Sequence, residues 1–98
     1  MTPRFTVRPE AEADLLASTE WYDSKALGLG TEFVRAVDVC YSLIKRMPEM
    51  FQQVHSGARR ARLRRFPYSV YYVYDERGIT ILACLHWRRH PREWMRRL

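Results

Sequence analysis

The 98 residues carry 17 Lys and Arg against 11 Asp and Glu, a net charge of +6. That length fits one domain (residues 1–98) burying about 60–65% of its unfolded surface, which leaves no room for a second catalytic unit. With 47% hydrophobic and 13% aromatic residues the chain has the material of a folded core rather than of a disordered tail. The stretch Met1-Thr2-Pro3-Arg4-Phe5 lacks the apolar run of a secretion signal, and no segment approaches the ~18 residues of a membrane span, so a soluble cytoplasmic protein is expected.

Phe5-Thr6-Val7-Arg8 is short, β-prone and stopped by Pro9, which predicts a first strand. Glu10, Glu12 and Asp14 crowd the turn after Pro9, where a helix dipole favours acids. Ala11, Leu15, Ser18 and Trp21 or Tyr22 then recur at three-to-four spacing, predicting an amphipathic helix to about Ser24. Gly28-Leu29-Gly30 ends that segment, and Thr31 reads as the N-cap of a second helix whose stripe is Phe33, Ala36, Val37, Cys40, Leu43, Ile44 and Met47, stopped by Pro48. A short glycine-bearing loop between two such helices predicts an antiparallel hairpin.

Met50 to Val54 reads as a connector and His55-Ser56-Gly57 as a turn. From Ala58 to Phe66 the residues alternate, Arg60, Arg62 and Arg64 against Ala61 and Leu63, which predicts a strand with an arginine-lined face. Ser69 to Tyr74 is strongly β-prone, Asp75-Glu76-Arg77-Gly78 is a hairpin loop, and Ile79 to Leu85 is apolar enough for a central strand. The order β-α-α-β-β-β predicts a two-layer α+β domain, a helical hairpin on a mostly antiparallel sheet whose other face is only partly covered. Cys40 and Cys84 lie in apolar runs and read as buried free thiols, and no spacing of Cys or His implies a metal or a cofactor.

Charge is divided along the chain. From His55 onward eleven arginines face three acids, whereas residues 1–54 hold eight acids and six bases. Such a split predicts a surface that meets an anion, and arginine binds carboxylate and phosphate through two prongs. Arg60, Arg62, Arg64, Arg88, Arg89 and Trp94 are the expected partner-binding residues, on a single open side of the sheet. If the chain is a ribonuclease, His86 would pass protons while Arg64 and Arg65 stabilise charge on a phosphate, without a metal. A histidine ending an apolar strand is more often structural, and no carboxylate accompanies it.

Taken together, Pro9-Glu10-Ala11-Glu12-Ala13-Asp14-Leu15, Trp21-Tyr22, Gly28-Leu29-Gly30-Thr31-Glu32-Phe33, Arg64-Arg65-Phe66-Pro67-Tyr68 and His86-Trp87-Arg88-Arg89-His90-Pro91-Arg92-Glu93-Trp94 resemble the RelE/ParE superfamily of bacterial toxins. The resemblance implies the toxin of a type II toxin-antitoxin (plasmid stabilisation) system, neutralised by a cognate antitoxin with an acidic or amphipathic C-terminal segment, and it implies the same fold. RelE-like ribosome-dependent mRNA endoribonucleases carry a strand arginine and a C-terminal aromatic, usually tyrosine, where this chain has Ser69 and Trp94. Serine cannot clamp phosphate as arginine does, and tryptophan cannot accept a proton as tyrosinate can. Arg64 and His86 still match. The pattern is therefore closer to the ParE-like branch, non-enzymatic inhibitors of DNA gyrase, with a plain basic nucleic-acid-binding module as the further alternative.

Overall fold

A computed structural model describes residues 3–98. The elements are β1 (Phe5–Val7), α1 (Pro9–Lys25), α2 (Leu29–Arg46), β2 (Gln53–His55), β3 (Ala58–Arg62), β4 (Tyr68–Asp75), β5 (Gly78–His86) and the single turn α3 (Arg92–Met95). One five-stranded sheet runs β1-β5-β4-β3-β2, antiparallel except where β1 joins β5 in parallel. The α1–α2 hairpin covers one face, which gives the α+β architecture that the periodicity predicts.

Helix α2 begins earlier than its sequence indicates. Gly28, at φ 81°, is the N-cap, in place of the expected Thr31, and Gly30 lies inside the helix. The cause is Asp23 at the end of α1, whose Oδ1 accepts the Gly30 N–H at 2.8 Å and so satisfies one of the orphan donors of the first turn. A Cβ on Gly30 would stand 2.5 Å from that carboxylate. One glycine turns the chain and the other admits the cap.

The connector expected over Met50 to Val54 contains a strand. Ser56 and Gly57 both have positive φ, 46° and 81°, and close a two-residue hairpin between His55 and Ala58. By contrast β3 is shorter than its alternation suggests, ending at Arg62. Leu63 N–H bonds Tyr68 C=O at 2.9 Å across a tight turn that holds Arg65 at φ 69°. Arg64 is thus a turn residue, a correction to the continuous arginine face read from the sequence.

Two apolar clusters flank the sheet. Between helices and sheet lie Ala11, Tyr22, Phe33, Val37, Cys40, Ile44, Val70, Tyr72 and Ile81. On the far face Tyr71, Leu82, Ala83 and Leu85 gather under Trp94, whose ring stacks on Tyr71 at 4.7 Å and 13°. A bulge in β5, where Tyr71 pairs Ala83 and Tyr72 pairs Ile81, turns both Leu82 and Ala83 to that side. The C-terminal turn therefore seals the middle of the face expected to stay open. Cys40 and Cys84 are buried free thiols, as their surroundings indicate.

Candidate functional site

Where α2 passes the outer flank of β3, the core does not close. A groove of about 400 Å³ is walled by Arg35, Ala36, Val39 and Leu43 of α2, floored by Cys40, Phe51 and Phe66, and bordered opposite by Arg62, Arg64 and Arg65. It exists because α2 carries more apolar residues than one buried stripe needs. Phe33, Val37, Cys40 and Ile44 fill the core, while Val39 remains 53% exposed and Leu43 is only half-buried. Leu43 belongs to the groove rather than to the core stripe in which its spacing places it.

Two side chains hold the groove's lower wall. Arg59 turns to the helix side and donates from Nη1 to the carbonyls of Glu49 (3.0 Å) and Phe51 (2.7 Å), while the Tyr72 hydroxyl donates to Pro48 C=O at 2.7 Å. Both pin the segment between α2 and β2, which places Phe51 at the floor. Burial pushes the Tyr72 hydroxyl up to about 12 although Arg59 acts against the rise, so it remains a neutral donor. Cys40, also pushed up to about 12 by burial, is a thiol here and offers the groove no nucleophile.

The groove carries positive charge around an apolar floor. Arg65 reaches Glu32 at 3.1 Å, an exposed pair of little energetic weight, and Glu32 is the one carboxylate in a lining that includes four arginines. Arg65 does so from a left-handed backbone conformation, which costs of order 1 kcal/mol for a residue that is not glycine. The flank of β3 beside the groove also lacks a neighbour. β2 pairs only Gln53 with Arg59 and His55 with Ala58, and Gln52 C=O accepts Arg60 N–H, after which no strand stands beside Arg62.

The other expected residues are divided among separate places. Arg60 and Arg62 project from the far face with Ala58. Arg62 lies 5.2 Å over the Trp87 ring, and Arg60 stands opposite Tyr71, whose pKa is raised by burial and opposed by that guanidinium. Trp94 is the buried lid described above. Arg88 and Arg89 follow β5, with Arg89 pairing Glu93 at 3.3 Å. The arginines thus occupy the groove rim, the far face and the end of β5 rather than one side of the sheet.

His86 and the pair Arg64 and Arg65 line different cavities. His86 Nδ1 accepts the Arg88 N–H at 3.0 Å, so in the neutral ring the proton sits on Nε2 and the lone pair a general base needs is already occupied. Ser69 is wholly buried with its hydroxyl unpaired. Arg35, Val39 and Phe51 were absent from the sequence-based site. The one signal, for Val39, is an apolar stripe on α2 too wide for a single buried face. Among the described residues no cluster of three His, Cys, Asp or Glu is placed to hold a metal, and no helix is long and apolar enough to cross a membrane.

No protein-family model matches the sequence, and no curated protein matches it. Among solved structures, a chain of the chromosomal ParDE TA system from P. aeruginosa is similar over 87% of this chain and 96% of its own, with a TM-score of 0.65 and 21% identity. The fold is shared. A helical hairpin on a mostly antiparallel sheet is the architecture that the resemblance to the RelE/ParE superfamily implies.

Proposed function

We propose that this chain is the toxin of a type II toxin-antitoxin pair, silenced by an antitoxin segment that lies in the groove between α2 and β3. The single observation that carries this reading is the groove itself, an apolar floor inside a rim of Arg35, Arg64 and Arg65. A segment alternating acidic and apolar residues satisfies both parts at once, and the unpaired flank of β3 offers main-chain groups to an extended stretch of it. The fold shared with a chain of a ParDE system supports the assignment.

For the target we favour DNA gyrase, bound without chemistry, in a cytoplasmic setting. Support comes from the separation of His86 from Arg64 and Arg65, the Nδ1 lone pair given to Arg88, and the absence of an arginine at Ser69. Induction without the antitoxin is expected to arrest growth, with gyrase trapped on cleaved DNA while translation continues. Cleavage of message on purified ribosomes, lost in His86→Ala, is the outcome that would instead establish the endoribonuclease. Harmless overexpression would leave only a basic nucleic-acid-binding module. A short neighbouring reading frame with a DNA-binding half and an acidic tail would supply the partner for a direct titration.

A further inference from the structure

The strand-end motif around His86 is not used by the groove, and it borders a cavity of its own. This second cavity, about 170 Å³, lies between the middle of α1 and the ends of β4 and β5, with Ser18, Tyr68, His86 and Arg89 in its lining. We propose that it is a binding site for a single phosphoryl group, independent of the antitoxin groove and of the toxin reading.

The lining supplies donors from four places in the fold: a hydroxyl from α1, a phenol from β4, an imidazole from the end of β5 and a guanidinium from the loop beyond. Because the Arg88 N–H occupies His86 Nδ1 (3.0 Å), the neutral ring presents Nε2 as a donor. The edge-to-face contact with Tyr68, ring centroids 5.2 Å apart, sets the orientation of the imidazole. Asp14 is the one carboxylate of the lining, and it is spent elsewhere. Arg97 holds it from two nitrogens at 2.7 and 3.2 Å, and Cys84 N–H adds a third bond at 3.0 Å. Arg89 is shared with Glu93 at 3.3 Å, a half-exposed pair that an incoming dianion displaces at small cost.

Shape narrows the ligand. Ala13 and Ala17 put no long side chain into the space, and the volume admits a tetrahedral oxyanion with a few waters. Donors on four separate segments suit the several oxygens of phosphate better than the two of a planar carboxylate. The phosphoryl group arrives either free or terminal, as in phosphate or a nucleoside monophosphate, or within the backbone of a nucleic acid strand.

The test is a titration of the full chain followed through its histidine side-chain NMR resonances. Inorganic phosphate is expected to shift His86 saturably in the millimolar range while leaving His55 and His90 in place. Arg89→Gln, at an exposed position, is expected to weaken binding about tenfold, as loss of a charge-assisted bond does, and Ser18→Ala about threefold. Arg64→Gln with Arg65→Gln should change it by less than about twofold. A 5′-nucleoside monophosphate binding where an oligonucleotide without terminal phosphate does not would assign the free or terminal group, whereas comparable binding of both would assign the backbone. No saturable shift of His86 at roughly 50 mM phosphate overturns the proposal, as does equal response to acetate or an Arg89→Gln protein that binds unchanged.

Discussion

The outer flank of β5 and the outer flank of β3 are both places where a neighbouring strand stops early, and they are finished in opposite ways. Beyond the three residues paired by β1, the flank of β5 continues with side chains in place of a strand. Asp14 accepts the Cys84 N–H at 3.0 Å, Arg97 donates to Leu82 C=O at 3.1 Å, and the two ions close on each other. Arg8 reaches the Arg97 carbonyl as well, at 2.6 Å, so α1, the sheet and the chain's end are tied at one point. The flank of β3 receives nothing after Gln52, and its neighbouring apolar floor is rimmed with arginine. A sealed edge contributes stability, and an open one keeps main chain, apolar surface and charge available for a partner.

Breaking the seal gives the largest expected effect. The side chains of Asp14 and Arg97 are only 12% and 15% accessible, so Asp14→Ala leaves the Arg97 charge uncompensated and the Cys84 N–H without a partner in a poorly solvated place. A loss of about 3–5 kcal/mol is expected in urea unfolding, a large part of the stability of a domain this size. Asp14→Leu with Arg97→Met should recover most of it, because replacing both ions leaves neither uncompensated. Equal loss in the single and double variants would show that the ion pair is not what holds this edge.

Leucines placed in the two regions sharpen the contrast. Leu82 is 2% exposed in the far-face cluster, and Leu82→Ala is expected to cost roughly 2–5 kcal/mol. Leu43→Ala, in the groove wall, should cost less than about 1 kcal/mol in the free protein yet weaken binding of the antitoxin segment. On the rim, changing Arg64 and Arg65 to Glu should lower that affinity about a hundredfold at low salt while the melting curve barely moves. Added salt should weaken the wild-type complex and narrow the gap between the two proteins, since exposed charges are screened within about 8–10 Å. A complex indifferent to salt would assign the binding to apolar contact alone.

Periodicity made the hairpin and the sheet legible and left both the groove and the seal of β5 obscure. The helical stripe, the apolar run at Ile79 to Leu85 and the glycine loop reflect burial, the strongest force acting on the chain, so hairpin and sheet follow from them. The groove results from a surplus that alternation cannot assign. Leu43 has the spacing of a core residue but faces the groove, and Arg64 has the parity of a strand residue but sits in the tight turn from Leu63 to Tyr68. The ion pair spans 83 positions and leaves no local pattern. Similarly, the stacking of Trp94 on Tyr71 depends on a four-residue turn too short for any periodic signal.

The smallest effect concerns the start of α2, which sets how the groove wall is presented. Asp23→Ala removes the cap on Gly30 N–H and is expected to cost about 1 kcal/mol. Gly30→Ala pushes the same carboxylate away with its new Cβ but gains up to about 1 kcal/mol of helix propensity, so its net change should be close to zero. The informative quantity is the coupling. In a Gly30→Ala background, Asp23→Ala should cost almost nothing, since the bond it removes has already been lost. If the two changes add instead, Asp23 stabilises the helix start through its charge near the dipole rather than through the hydrogen bond.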